Sequence, residues 1–295
     1  MKNKINKKEN LIGYLFIAPA AILFIIFVVV PTIALIYLSF TKYNMFAAPK
    51  FNGFSNLINL FHDSRLLVVT KNTLIIAVFS VILNIGIGLF LALLIASRNN
   101  GIFNYLVRLL FFFPVIVAPV YIAVIWSNIM SKDSGMLNYF LGLIGIDPIG
   151  WLTDINDALK SLIGIEVWRL TGFAMLTFIA GIKNISKDYY EASSLDGSNT
   201  IQTVFYITIP QLTPIILMNI VLYIINELKI FDIPALMTKG GPGDGTRTIT
   251  MYIYEMAFQR QNMGYACAVS LLFVVSIMAV TIIQFKLSER WVNYD

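Results

Sequence analysis

Residues 190–214 read YEASSLDGSNTIQTVFYITIPQLTP, a polar stretch set between two strongly apolar segments. Lys187 to Leu195 holds good helix formers, and Asp196-Gly197 is a turn signal. Ser198 or Asn199 can then cap a second helix, with Gln202 three residues after Asn199 in capping-box spacing. Ile201, Val204, Phe205 and Thr208 fall on one face of that helix, and Pro210 opens the next apolar run. The spacing predicts two short helices joined by a glycine elbow near a membrane surface. On physical grounds alone the stretch is either an interfacial connector or a docking element for a partner.

The surrounding chain explains why such an element is set in lipid. Of its 295 residues, 58% are hydrophobic and 13% charged, and the apolar residues come in long runs. That balance is foreign to a soluble domain and defines an integral membrane protein. About 20 apolar residues of helix cross a bilayer core, because hydrocarbon leaves no partner for a bare backbone amide. Six segments meet this length: 11–40, 72–96, 106–130, 159–182, 212–233 and 264–285. The first is too long for a signal peptide and lacks a small-residue cleavage site after it, so it reads as a retained span.

Lys2, Lys4, Lys7 and Lys8 precede the first span and predict a cytoplasmic N-terminus. Six spans return the C-terminus to the same side. The expected organisation is a cytoplasmic N-terminus over 1–10 and a six-span domain over 11–285. Within that domain, loop 183–211 is cytoplasmic and loop 234–262 external, and a cytoplasmic C-terminus covers 286–295. The expected fold class is all-α, a polytopic membrane protein of six transmembrane helices.

Several chemistries are excluded by residue supply. Cys267 and His62 are the single cysteine and the single histidine, which leaves neither a disulfide framework nor a zinc-type ligand set, so no metal site is expected. No His, Cys, Ser or carboxylate cluster reads as catalytic, so no catalytic residue is assigned. The net charge of +5 is spread along the ends of the apolar runs and is not gathered for nucleic acid. Gly240-x4-Gly245 is the nearest approach to a phosphate-binding loop, but Thr246 and Arg247 stand where Lys and Ser or Thr are required, and Pro242 interrupts it.

Polar residues inside spans are costly and mark cavities or helix contacts. Asn219, Tyr223 and Asn226 recur at i, i+4 and i+7 in span five. Amides and an aromatic ring suit a sugar, with its hydroxyls and its C–H face; the competing reading is hydrogen bonding between helices. Glu166 and Arg169, at i and i+3 in span four, are set to neutralise each other. Glu227 and Asp232 are the carboxylates of span five without an evident counter-charge. Pro31, Pro114 and Pro119 predict kinked helices, and Gly264-x3-Ala268 with Ala266-x3-Ser270 gives span six small faces for close packing.

The pattern Glu191-Ala192-x4-Gly197-x9-Ile207-x2-Pro210 resembles the cytoplasmic loop signature of membrane subunits in binding-protein-dependent ABC importers. Ser193 and Ser198 stand where alanine is usual, a small-for-small change. FNGFSNLINLF, FFFPVIVAP, VWRLTGF, FDIPALMTKGGPGDGT and YIYEMAF are, in order, similar to segments of the carbohydrate branch, the maltose and multiple-sugar type. The resemblance covers about residues 11 to 285 and implies a type I importer permease bundle. It also implies an import function for a sugar or oligosaccharide, in a bacterial or archaeal cytoplasmic membrane.

By the same resemblance Glu191, Ala192, Asp196, Gly197, Phe205, Ile207 and Pro210 would couple to a separate ATPase. From their chemistry on span five, Asn219, Tyr223 and Asn226 would line the pathway, and by the resemblance Gly240, Gly241, Pro242 and Gly243 would meet an extracytoplasmic solute-binding protein. The partners implied are a second, homologous permease and two ATPase subunits that carry ATP and Mg; this chain would bind no cofactor itself. An ion-driven secondary carrier, with intramembrane carboxylates and an inverted repeat, is the alternative from another class. A glycerol phosphate substrate is the alternative within the family.

Overall fold

In the computed structural model, residues 7–97 and 101–293 are described. Lys2 and Lys4, on which the inside-positive reading rests in part, lie outside them. The chain runs α1 (Lys7–Phe24), a π-turn (Ile25–Val29), α2 (Val30–Ser39), β1 (Thr41–Lys42), β2 (Lys50–Phe51) and α3 (Ser55–Leu60). Then come α4 (Ser64–Ser97), α5 (Gly101–Ile116), α6 (Pro119–Ile129), α7 (Met136–Leu143) and α8 (Ala158–Asn184). The elbow holds α9 (Lys187–Leu195), α10 (Thr200–Thr203), a π-turn (Val204–Thr208) and α11 (Ile209–Gln211). Finally α12 (Thr213–Leu228), α13 (Asp232–Met237), α14 (Ile249–Tyr254), a π-turn (Glu255–Gln259) and α15 (Met263–Ser288) complete the chain. Among the described residues the protein is all-α apart from the two-residue pair β1–β2, antiparallel with Thr41 opposite Phe51.

Two compact units divide the chain, Met1–Asp63 with Ile253–Val275, and Ser64–Tyr252 with Ser276–Asp295. In the first, the kink expected at Pro31 takes the form of the π-turn just before it. Proline brings no N–H to the helical ladder, and Val30 N–H reaches back to Ile25 O instead. No residue of the apolar window within Ile12–Ser39 is fully buried, which suits a helix facing hydrocarbon or another chain. Asn56 finishes this span by donating to Ser39 O at 2.9 Å and Thr41 O at 2.8 Å, which satisfies carbonyls left over at the helix end. The small face of α15 is used here: a Cβ on Gly264 would lie 2.1 Å from Thr41 O.

The second unit is built on α4 and α8. They are the helices of this unit with the longest apolar spans, 34 and 27 residues, and α8 is the more buried. Its interior holds Leu162, Ala174, Met175 and Phe178, none with any exposed surface. Glycines set the closest approaches: a Cβ on Gly88 of α4 would come within 2.6 Å of Ala174 Cβ, and one on Gly172 of α8 within 2.0 Å of Phe111 O in α5.

Five helices among the described residues are long and apolar enough to cross a membrane, and a sixth span exists only if α5 and α6 count as one. The expectation of a merely kinked third span is therefore corrected: the pair turns by 104°. The cause is legible in VAP. Ala118, ahead of Pro119, is held extended at φ −60°, ψ 138°, because the proline ring crowds the α conformation of the residue before it. Span two is also longer than expected, since α4 begins at Ser64.

Candidate functional site

The 190–214 stretch folds as an elbow. Ser186 opens α9 with its side chain accepting from Asp188 N–H, and Gly197 turns the chain at φ 73°, a conformation that a Cβ disfavours. Asn199 is the residue that caps α10. Its side chain accepts from Gln202 N–H at 2.9 Å while Gln202 accepts from Asn199 N–H at 2.9 Å, which completes the capping box. The two serines that replace alanine pin the elbow from inside: the hydroxyls of Ser193 and Ser198 are hydrogen-bonded to each other and each lies 3.1 Å from Thr203 Oγ1.

Its outer surface is apolar. Leu195 is 90% exposed, Ile201 70% and Tyr206 79%, with Phe205 and the Glu191 carboxylate exposed beside them. The single face expected for Ile201, Val204, Phe205 and Thr208 is corrected. The π-turn, closed by Ile209 N–H to Val204 O, adds a residue to the turn, so Phe205 stays outside while Thr208 is buried against Tyr190. Ile207 is half-buried. Pro210 falls in the short α11, and the span itself starts at Thr213 with Pro214 in its first turn.

Along span five the three expected polar residues divide. Asn219 has no exposed surface; its amide donates to Thr177 Oγ1 at 2.9 Å and to Ile215 O at 2.9 Å. The Tyr223 hydroxyl donates to Leu170 O at 2.7 Å and accepts from Ala174 N–H at 3.0 Å, both in α8. The polar atoms of both are thus taken up between helices. Asn226 is exposed and lines two adjoining cavities. One, of about 280 Å³, is walled by Val115, Leu170, Phe173, Leu222 and Tyr223. The other, of about 180 Å³, carries Glu166, Arg169, Lys229 and Asp232. Glu166 and Arg169 pair as their spacing predicts, with Arg169 Nη2 2.6 Å from Glu166 Oε2. Glu227 lies buried near that pair.

At the other end of the spans, Gly240 to Asp244 forms a tied knob, in contrast to a free turn. Gly240, Gly243 and Asp244 all have positive φ. Thr246 Oγ1 donates to Gly241 O at 2.7 Å, and Asp244 accepts from Arg65 Nε at 2.7 Å and Arg247 Nε at 2.5 Å. Hydrogen bonding to Arg65 first, then to Arg247, holds the Asp244 carboxyl below the ordinary aspartate range despite partial burial. Asn72 donates to Asp244 O at 2.8 Å, and Arg65 lies over the Tyr252 ring at 5.3 Å. None of Arg65, Asn72 and Asn56 stood out in the sequence as a site residue. Asn72 marks the expected start of span two, but its partners are 172 and 175 positions away; Asn56 and Arg65 carry no local cue, with partners 15 and 17 positions away for Asn56 and 179 for Arg65.

Long apolar helices, with a capped elbow between spans four and five and a tied knob after span five, define a polytopic membrane protein. Residues 84–293 match the model of the family described as binding-protein-dependent transport system inner membrane component, and the chain belongs to that family. It is a permease subunit of an ABC importer. The chain is 39% identical over its whole length, and over 96% of the other protein, to the probable ABC transporter permease protein YesP of Bacillus subtilis (strain 168). It is 33% identical to the lactose transport system permease protein LacF of Rhizobium radiobacter, covering 96% of each chain. Among solved structures it superposes on a chain of the bacterial alginate ABC transporter in complex with alginate pentasaccharide-bound periplasmic protein. The TM-score is 0.85, with 24% identity and 96% of both chains covered. Family membership decides against the ion-driven carrier.

Proposed function

We propose that this chain forms half of the translocation pathway of an ATP-driven carbohydrate importer, with a second permease supplying the other half. ATP and Mg belong to a pair of separate ATPase subunits, and an extracytoplasmic binding protein delivers the sugar. The observation that carries the coupling part is the elbow: rigidly capped and hydroxyl-pinned, it still leaves Leu195, Ile201, Phe205 and Tyr206 in the open. Apolar groups on a braced peg, with the Glu191 carboxylate beside them, suit a groove on another protein better than a bare aqueous face. In this reading Glu191, Ala192, Asp196 and Gly197 engage the ATPase, with Phe205 seated in its groove and Ile207 and Pro210 carrying the motion into α12. The N- and C-termini lie on the same, cytoplasmic side.

A carbohydrate substrate is supported by the lactose-named relative and by the site itself. Asn226 joins a ring-walled cavity to a polar one, which matches a sugar's apolar C–H face and its hydroxyls. Tyr223 contributes its ring to that wall, and Asn219 holds the helix that presents it. Gly240, Gly241, Pro242 and Gly243 form the surface offered to the binding protein. The test is uptake into proteoliposomes holding both permeases and the ATPase pair, with binding protein and a panel of mono-, di- and oligosaccharides plus glycerol phosphate. ATP-dependent accumulation of a sugar is expected. Accumulation of glycerol phosphate alone, or uptake indifferent to ATP, overturns the reading.

A further inference from the structure

Between α4 and α8 lies a cavity of about 850 Å³, separate from the cavities around Asn226. The two helices touch at Gly88 and Ala174, and the cavity opens between them nearer their N-terminal ends. Its α4 wall repeats at helical spacing as Val68, Asn72, Ile75, Phe79 and Leu83. Its α8 wall is Leu159, Ile163, Gly164 and Val167. At the mouth stand two cations, Lys71 and Lys160, both exposed. Lys160 also lies 3.3 Å from Asp157.

Three features converge on one occupant. The lining is apolar below and cationic at the rim, which is the charge order of an anionic amphiphile. From Lys71 to Leu83 the groove runs about 18 Å at 1.5 Å of rise per residue, close to the roughly 15 Å of hydrocarbon in one leaflet and well short of a whole bilayer. Gly164, in the second turn of α8, has open space where its Cβ would be, so no packing constraint within the described chain calls for glycine there. What its missing side chain leaves is room in the groove.

We propose that this groove is a binding site for an anionic phospholipid of the leaflet nearest the 240–244 knob. The headgroup phosphate lies between Lys71 and Lys160, and an acyl chain runs down past Gly164 along Ile75, Phe79 and Leu83. The lysine stems follow the apolar wall while their ammonium groups stay at headgroup level. This site is independent of the transported substrate.

The test uses the full chain, delipidated in mild detergent and titrated with phosphatidylglycerol or phosphatidylcholine in mixed micelles, with bound lipid counted by native mass spectrometry. Wild type is expected to retain phosphatidylglycerol at least fivefold better than phosphatidylcholine, and millimolar inorganic phosphate should not displace it. Lys71→Gln with Lys160→Gln should abolish that preference. Gly164→Leu should remove the bound lipid of either kind, and Gly164→Ala should keep most of it. Equal retention of both lipids by wild type, or an unchanged preference in the lysine double variant, overturns the site. Because Gly164→Leu could misfold, a photoreactive group at Phe79→Cys gives a second reading in membranes. Crosslinks to phosphatidylglycerol support the proposal, whereas crosslinks to another polypeptide make the groove a subunit interface and overturn it.

Discussion

The hydroxyl of Tyr223 sits against one turn of the neighbouring span, donating to Leu170 O at 2.7 Å and accepting from Ala174 N–H at 3.0 Å. Its ring meanwhile packs edge-on to Phe173, with centroids 6.3 Å apart, and faces the cavity. Ring and hydroxyl can therefore be tested separately. Tyr223→Phe keeps the wall and removes two interhelical hydrogen bonds at about 1 kcal/mol each, so roughly 1–2 kcal/mol of stability should go. Thermal unfolding of the detergent-solubilised chain should show a lower Tm, and sugar uptake per folded molecule should stay near wild type.

Asn226 should behave in the opposite way. Its side chain is exposed at the junction of the two cavities, so Asn226→Leu removes a sugar-facing amide without breaking a helix contact. Uptake should fall at least tenfold while Tm and unstimulated ATPase activity are preserved. Wild-type uptake in this variant would return span five to a purely packing role.

The contrast between these residues separates what helical spacing carries from what tertiary contacts decide. Periodicity put Asn219, Tyr223 and Asn226 on one stripe, and that stripe exists. Which of them faces a cavity depends on the hydroxyl of Thr177 and the backbone at Leu170 and Ala174, and no spacing rule links those to span five. Local rules succeeded where the physics is local: the capping box at Asn199 and Gln202, the positive φ of Gly197 and the Glu166–Arg169 pair are contacts within five residues. The break before Pro119 is legible in the sequence, but its 104° angle and the π-turn at Val204–Thr208 are not, since proline marks a break while packing sets the angle.

The clamp on the 240–244 knob has a defined pH signature. A carboxyl held below its ordinary value stabilises the fold above the unfolded pKa, and that contribution is lost as pH falls through the lower folded value. With an ordinary aspartate near 3.9, the clamp should stay closed from about pH 8 to 5 and open only below roughly 4. Asp244→Asn should open it at neutral pH, at a cost of about 1.5 kcal/mol. That is the low end for charged hydrogen bonds, because Arg65 is a third exposed. Hydrogen exchange across 238–247, corrected for intrinsic rates, reads both: slow in wild type at pH 5 and faster in the variant at every pH above 4.

The elbow gives the last prediction. Gly197 stands at φ 73° and a Cβ there would meet no atom within 4 Å, so any penalty for replacing it comes from its own backbone. Gly197→Val puts a β-branched residue where positive φ is strongly disfavoured and should reopen the turn, whereas Gly197→Asn, whose side chain tolerates that region, should retain it. Glu191→Ala deletes an exposed carboxylate; on a lipid surface or in water its loss is nearly silent, but at a protein interface a charge-assisted contact is typically about 1.5–3 kcal/mol. Co-purification of the ATPase with this chain should therefore be weakened roughly tenfold or more by Glu191→Ala, lost with Gly197→Val and kept by Gly197→Asn, while all three variants reach the membrane and bind the second permease. Equal ATPase recovery across the series would make the elbow an interfacial connector, and the coupling contact would have to lie elsewhere on the chain.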